Sequence, residues 1–297
     1  HIRLKRGEMT SSVNESMISM VDELNNDFVS ELYTKLPKGK MLRSRLLKLI
    51  APDHKDVDRV AAIIEMIHLS SLLHDDVIDE ADTRRGQASI NALFSDKHAV
   101  MLGDIFYSKA FFELTKLPTD ISQSISAAVT KLSLGELQDV ELAKSFNEDI
   151  EAYYEMIYLK TSALIEATTE CGAYMAGLDP QDYRLFGKNL GVAFQIVDDL
   201  LDITQDAQTL GKPAFNDLSE GKVTLPIHYF YEVANSEDRA ILKSFFLKRL
   251  NLEEQVWLRE KVLSSGSLER TKLEVQRLVD EAKAVVLDKP ELLVLLS

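Results

Sequence analysis

At 297 residues the chain lies near the upper limit of what one hydrophobic core supports. Its 12 Gly and 7 Pro, in a composition dominated by Leu, Ala, Glu and Lys, favour long helices over turn-dense β structure. A formal charge of -14 repels nucleic-acid backbones and anionic bilayers, and Cys171, the single cysteine, excludes an internal disulfide and a thiolate metal cage.

Cys171 reads as a buried core thiol, and a reducing, cytoplasmic location is expected. No uncharged apolar run reaches the ~18 residues of a membrane span, so no transmembrane segment is expected. Ile18, Val21, Leu24, Phe28 and Leu32 recur at helical spacing until Pro37 and Gly39 stop the pattern, and a second helix is predicted from near Lys40. Val60, Ile63, Ile64, Ile67 and Leu72 predict a helix from Val57 to about Glu80, capped by Asp53 or Asp56. Further helices are predicted at Ile90–Lys116, Ile121–Lys144, Ile150–Tyr174 and Tyr183–Ile203, separated by Pro118, Asn147 and the Gly177–Pro180 turn. Beyond Gly211 and Pro213, shorter helices are predicted at Leu225–Ala234, Glu237–Leu250, Leu252–Leu263 and Leu268–Leu287. No linker or low-complexity stretch interrupts them, so residues 1–297 are expected to form one all-α bundle.

Two acidic clusters built alike end two of these helices. The first reads His74-Asp75-Asp76-Val77-Ile78-Asp79 and the second Asp198-Asp199-Leu200-Leu201-Asp202. Positions i and i+4 share a helix face, so Asp75 pairs with Asp79 and Asp198 with Asp202. Such stacked carboxylates repel unless a cation or proton lies between them. Either cluster alone is equally well a solvated helix end. Two copies ending apolar helices, facing each other across a cleft, would supply oxygen ligands for Mg²⁺, and the scarcity of Cys and His argues against zinc. Arg84-Arg85 follows the first cluster at once and suits phosphate oxygens, although an RR pair alone would read as surface salt bridging with Glu80 or Asp82.

With Gly39-Lys40, Glu65-Met66-Ile67-His68, Gly103-Asp104, Lys160-Thr161, Phe194-Gln195, Gly211-Lys212-Pro213 and Asn216 through Pro226, these motifs resemble the trans-type polyprenyl diphosphate synthases over about two thirds of the chain. The resemblance implies an isoprenoid-synthase bundle with a central cavity. It also implies Mg²⁺-assisted condensation of an allylic diphosphate, such as farnesyl diphosphate, with isopentenyl diphosphate into a long chain of the kind found on quinones. By that resemblance Asp75, Asp79 and Asp198 or Asp202 hold Mg²⁺, and Arg84, Lys160, Thr161, Gln195 and Lys212 contact the allylic substrate. Lys40, Arg43, His68 and Arg85 bind isopentenyl diphosphate, Lys222 lines the second acidic motif, and the chain is a homodimer. One departure concerns the family's GKxxRP pattern, where Met41 follows Lys40 and Ser44 replaces the Pro. His74 reads as structural.

Ser71, one turn before Asp75, and its neighbour Ser70 stand where short-chain relatives carry aromatic rings. An open tunnel is implied there, stopped deeper by Ile67 or Ile64, or by Leu134 and Leu137 if their helix forms the opposite wall. Small residues that merely let helices pack closely are the bland alternative. Shorter-chain synthesis is the nearest functional rival. An HD-type phosphohydrolase lacks the extra histidines, a terpene cyclase leaves Arg84-Arg85 and the Lys40 region unexplained, and a noncatalytic partner subunit would not need intact aspartate clusters.

Overall fold

The computed structural model describes residues 2–37, 39–204 and 215–293. It is helical nearly throughout, with one two-stranded hairpin. The chain divides into two compact units, one of His1–Thr130, Glu166–Arg184 and Lys289–Leu295, the other of Lys131–Ile165, Leu185–Asp288 and Leu296–Ser297.

The first unit opens with α1 (Ile2–Asp22), α2 (Asp27–Lys35), α3 (Leu42–Ile50) and α4 (Val57–Ile78). The predicted continuous pattern from Ile18 to Leu32 is therefore two helices. Asn25 adopts a left-handed φ of 50°, and the Asn26 side chain accepts the Val29 N–H to start α2, so polar turn chemistry overrides the apolar spacing. Asp56 occupies the N-cap of α4 without capping it, its N–H donating instead to His54 Nδ1.

From Val60 to Ile67, α4 is apolar on every face apart from Glu65, and such a helix must be surrounded. It packs on α1, α3 and α6. A hairpin, β1 (Thr83–Arg84) and β2 (Gln87–Ala88), leads to α5 (Ile90–Leu93) and α6 (Asp96–Leu114), which Phe94 and Ser95 split from the single predicted helix. Where α4 meets α6, His74 lies over Gly103, whose added Cβ would fall 2.4 Å from His74 Nε2. That nitrogen donates to the Val100 carbonyl at 3.1 Å and lies 3.3 Å from Asp104, which gives His74 structural contacts.

α7 (Thr119–Leu142) ends in the second unit, which continues with α8 (Ile150–Ile157) and a π-helical turn at Tyr158–Ser162; α9 (Ala163–Ala176) lies mostly in the first unit, and α10 (Pro180–Thr204) returns to the second from Leu185. After α11 (Asn216–Ser219) come α12 (Leu225–Val233), α13 (Ser236–Ser244), α14 (Leu252–Ser264) and α15 (Ser267–Ala284); α16 (Pro290–Leu293) belongs to the first unit, where it packs on α3. One apolar cluster joins Leu200, Phe215, Ile227, Phe230, Leu242 and Leu258, and a second joins Tyr153, Ile157, Ile196, Leu225 and Leu278. No helix among the described residues is long and apolar enough to cross a membrane.

Candidate active site

In the first unit the acidic motif ends α4. Asp75 is half-buried and Asp79 exposed, whereas Asp76, between them, is buried at 4 %. Asp76 accepts a hydrogen bond from Arg84 Nε at 2.6 Å. Burial raises its carboxyl, Arg84 opposes the rise and Asp79 adds to it. Arg84 and Arg85 do not continue the helix. They form the hairpin, in which Arg84 faces Gln87 across the register and Arg85-Gly86, both with positive φ, make the turn. Primed turns of this kind match strand twist, and Gly86 is the residue that takes this conformation without strain.

Around the hairpin lie the other cationic candidates. Gly39 rests on the Arg85 guanidinium so closely that a Cβ would meet Nη1 at 2.9 Å, which draws the Gly39-Lys40 segment to Arg85. His68 is held well below its usual pKa by burial first and then by Arg43, Arg85 and Arg84, so it is neutral at pH 7 and surrounded by positive charge. Glu65, buried at 7 %, offsets that charge: it acts on Arg43 and Arg85, and its Oε1 accepts the Ser44 N–H at 2.9 Å. The Ser44 that replaces the family's Pro therefore keeps a donor that Pro lacks, and uses it. Glu65 entered the sequence reading only as part of a motif; the sole signal for its role was an acid inside an apolar helix face.

In the second unit a cavity of about 260 Å³ is lined by Lys160, Thr161, Gln195, Asp198, Asp199 and Lys222, among others. Lys160 and Thr161 occupy the π-helical turn. This turn fits because glycines flank it: a Cβ at Gly135 would lie 2.3 Å from the Lys160 nitrogen, and one at Gly191 would lie 2.6 Å from Ser162 Cα. Lys160 Nζ pairs with Asp139 Oδ2 at 2.6 Å and Glu136 Oε2 at 2.9 Å. These two acids were not singled out from sequence, although their i,i+3 spacing on α7 placed them on one face.

On α10, Asp198 is exposed and Asp199 buried at 4 %. Asp199 accepts from Tyr153 Oη at 2.5 Å and Gln195 Nε2 at 3.0 Å. Burial, with Asp198 and Asp202 adding to it, pushes its carboxyl up to about 7 against the lowering effect of both hydrogen bonds. Asp202, read from spacing as the partner of Asp198, is buried at 2 % and accepts the backbone N–H groups of Asn216 at 3.2 Å and Asp217 at 3.3 Å. It thereby anchors the start of α11. Lys222 pairs with Glu220 at 2.8 Å. Lys212 lies outside the described residues.

Each motif thus turns its middle aspartate into the protein, and Asp75, Asp79 and Asp198 keep solvent access while Asp202 is buried. Among the described residues no three Asp, Glu, His or Cys side chains converge to cage an ion. The donors fit Mg²⁺ in another way: hard oxygen ligands in small number, for an ion that keeps water and takes substrate phosphate as ligands.

The sequence signature described as Polyprenyl synthetase matches residues 27–261. Among relatives, octaprenyl diphosphate synthase of Escherichia coli is 33% identical over 287 residues, covering 92% of this chain and 88% of that protein. Solanesyl diphosphate synthase 1 of Arabidopsis thaliana is 36% identical over 241 residues, covering 80% of this chain, which spans only 57% of the plant protein. Among solved structures, octaprenyl pyrophosphate synthase from Helicobacter pylori superposes with a TM-score of 0.90 at 42% identity, over 95% of this chain and 94% of that one.

Proposed function

Since this chain belongs to the polyprenyl synthetase family, we propose that it is a trans-prenyltransferase that adds isopentenyl diphosphate repeatedly to an allylic diphosphate to make a long-chain polyprenyl diphosphate. The observation that carries this reading is the cationic cluster beside the first acidic motif, where Arg43, Arg85 and neutral His68 lie close together with Glu65. Such a cluster suits a diphosphate, and Gly39 lies against Arg85. The similarity to enzymes named octaprenyl and solanesyl diphosphate synthase supports a long product.

In this reading Asp75, Asp79 and Asp198 hold Mg²⁺, with Asp202 fixing the segment beside them. Bound Mg²⁺ would neutralise the leaving diphosphate so that its bond to the allylic carbon ionises. Lys160, Thr161, Gln195, Arg84 and Lys212 orient the allylic diphosphate, and Lys222 adds positive charge at the second motif. Lys40, Arg43, His68 and Arg85 orient isopentenyl diphosphate, whose double bond attacks the allylic cation; the released diphosphate then takes a proton from the adjacent carbon as the new double bond forms. Apolar walls keep water from the cation. The reading treats residues 1–297 as one functional domain, working as a cytoplasmic homodimer.

The test is incubation of the purified chain with farnesyl diphosphate, isopentenyl diphosphate and Mg²⁺, with products identified by mass spectrometry. A polyprenyl ladder ending well beyond geranylgeranyl length is expected, and Asp75→Ala should lower turnover by about a hundredfold or more without loss of helical content. Products ending at geranylgeranyl length would replace the long-chain assignment, and near-normal turnover of Asp75→Ala at limiting Mg²⁺ would remove the metal-site assignment.

A further inference from the structure

Tyr153 is 2% exposed on α8, its ring packed with Ile157, Ile196 and Leu225 and lying 5.6 Å from the His228 ring. A buried tyrosine needs a partner for its hydroxyl. Here the hydroxyl donates to Asp199 Oδ2 at 2.5 Å. A phenol has only one proton, so that proton is committed to Asp199.

That direction propagates. With Asp199 Oδ2 taking the Tyr153 proton, its Oδ1 accepts the Gln195 amide nitrogen at 3.0 Å. The Gln195 carbonyl then faces Thr161, whose hydroxyl donates to it at 3.0 Å. The orientation of two cavity-lining side chains, Gln195 and Thr161, is therefore set by a residue behind them.

We propose that Tyr153 is a positioning residue of the transferase site, its hydroxyl holding Asp199 and through it the Gln195 amide and the Thr161 hydroxyl in the orientation that receives the allylic diphosphate. The inference rests on the reading of Gln195 and Thr161 as allylic-substrate contacts. Without the phenolic hydroxyl, Asp199 keeps one side-chain donor fewer in a buried, acid-rich setting, and the carboxyl that orients Gln195 loses its anchor.

The experiment compares wild type, Tyr153→Phe, Asp199→Asn and the double variant in the full chain, varying farnesyl and isopentenyl diphosphate separately. Tyr153→Phe should lower kcat about 10- to 100-fold and raise the KM for farnesyl diphosphate, leaving that for isopentenyl diphosphate within about twofold. Binding of inorganic diphosphate with Mg²⁺, followed by calorimetry, should weaken about tenfold or more. Asp199→Asn still accepts from Tyr153 but turns an amide toward Gln195, so it should give the same kinetic split, and the double variant should be no slower than the slower single one. Folded Tyr153→Phe with kcat, both KM values and diphosphate binding within about twofold of wild type overturns the proposal, as do effects that multiply in the double variant. If Tyr153→Phe does not fold, wild-type kinetics in Asp199→Asn overturn it. Inactivity of the wild-type chain with both substrates would instead refute the transferase reading on which the inference stands.

Discussion

Ser71 lies half-buried one turn before Asp75, and its hydroxyl turns back to donate to the His68 carbonyl at 2.8 Å. Its neighbour Ser70 is fully buried and donates to the Met66 carbonyl, so the two serines differ in what they can face. Of the two, only Ser71 is partly exposed, and Ile67 below is buried. Ser71→Phe should shorten the products by several isoprene units, to farnesyl or geranylgeranyl length, while the first condensation survives; an active variant that still makes the full chain by mass spectrometry would show that the tail avoids this residue. Leu134 and Leu137, expected as a possible opposite wall, are 52% and 60% exposed. At this scale the sequence was legible where residue type decides burial, as with Cys171, expected as a core thiol and fully buried. It was not legible for Asp76 and Asp199, because two adjacent aspartates look identical until their helices are packed. Asp202 shows the same limit: spacing paired it with Asp198, and the backbone of residues 216 and 217 claims its oxygens.

Among the elements, apolar periodicity located nearly every helix, and the differences arise where backbone chemistry intervenes. Arg84 and Arg85 are adjacent yet differently held, Arg84 in a strand with its side chain on Asp76 and Arg85 in a tight turn. The Ile150–Tyr174 pattern likewise hid a π-helical turn, since periodicity is blind to one added residue. Gly135 and Gly191 are the sequence trace of that turn. Gly135→Ala places a methyl 2.3 Å from backbone, which no flexible side chain can relieve. It should cost about 1–3 kcal/mol in stability. It should also reduce turnover by displacing Lys160; thermal melts with steady-state kinetics would check both, and an unchanged melt and rate would show that the turn has room to move.

For the molecule as a whole, a buried ionic network in the first unit makes stability depend on pH. Glu113, with 4% of its side chain exposed, accepts from Arg59 at 2.6 Å, Lys116 at 2.8 Å and Lys109 at 2.9 Å, and buried Lys109 also pairs with Glu23 at 2.6 Å. Burial alone would raise the Glu113 carboxyl, but the hydrogen bonds from Lys109, Lys116 and Arg59 outweigh it and bring it down to about 2 from 4.5. A depressed carboxyl stabilises the fold fully above its unfolded pKa, and that contribution is lost as pH falls toward the folded value. It amounts to about 3 kcal/mol. Glu113→Gln should therefore melt about 5 °C below wild type at pH 7. The difference should close as pH falls from 5 toward 2, and a gap independent of pH would mean that packing, not charge, is lost.

The π-helical turn has one further consequence, best put as a matter of phase. In an α-helix each residue advances the side chains by about 100°, so one inserted residue slips everything after it by that angle relative to everything before. Tyr153 lies before the turn at Tyr158–Ser162, and Lys160 and Thr161 lie within it. Excising one residue there would restore an unbroken and locally more regular helix, yet would rotate Lys160 and Thr161 out of step with Tyr153, with the α7 acids that Lys160 meets and with Gln195 on α10. The cavity's composition would be unchanged and its alignment lost.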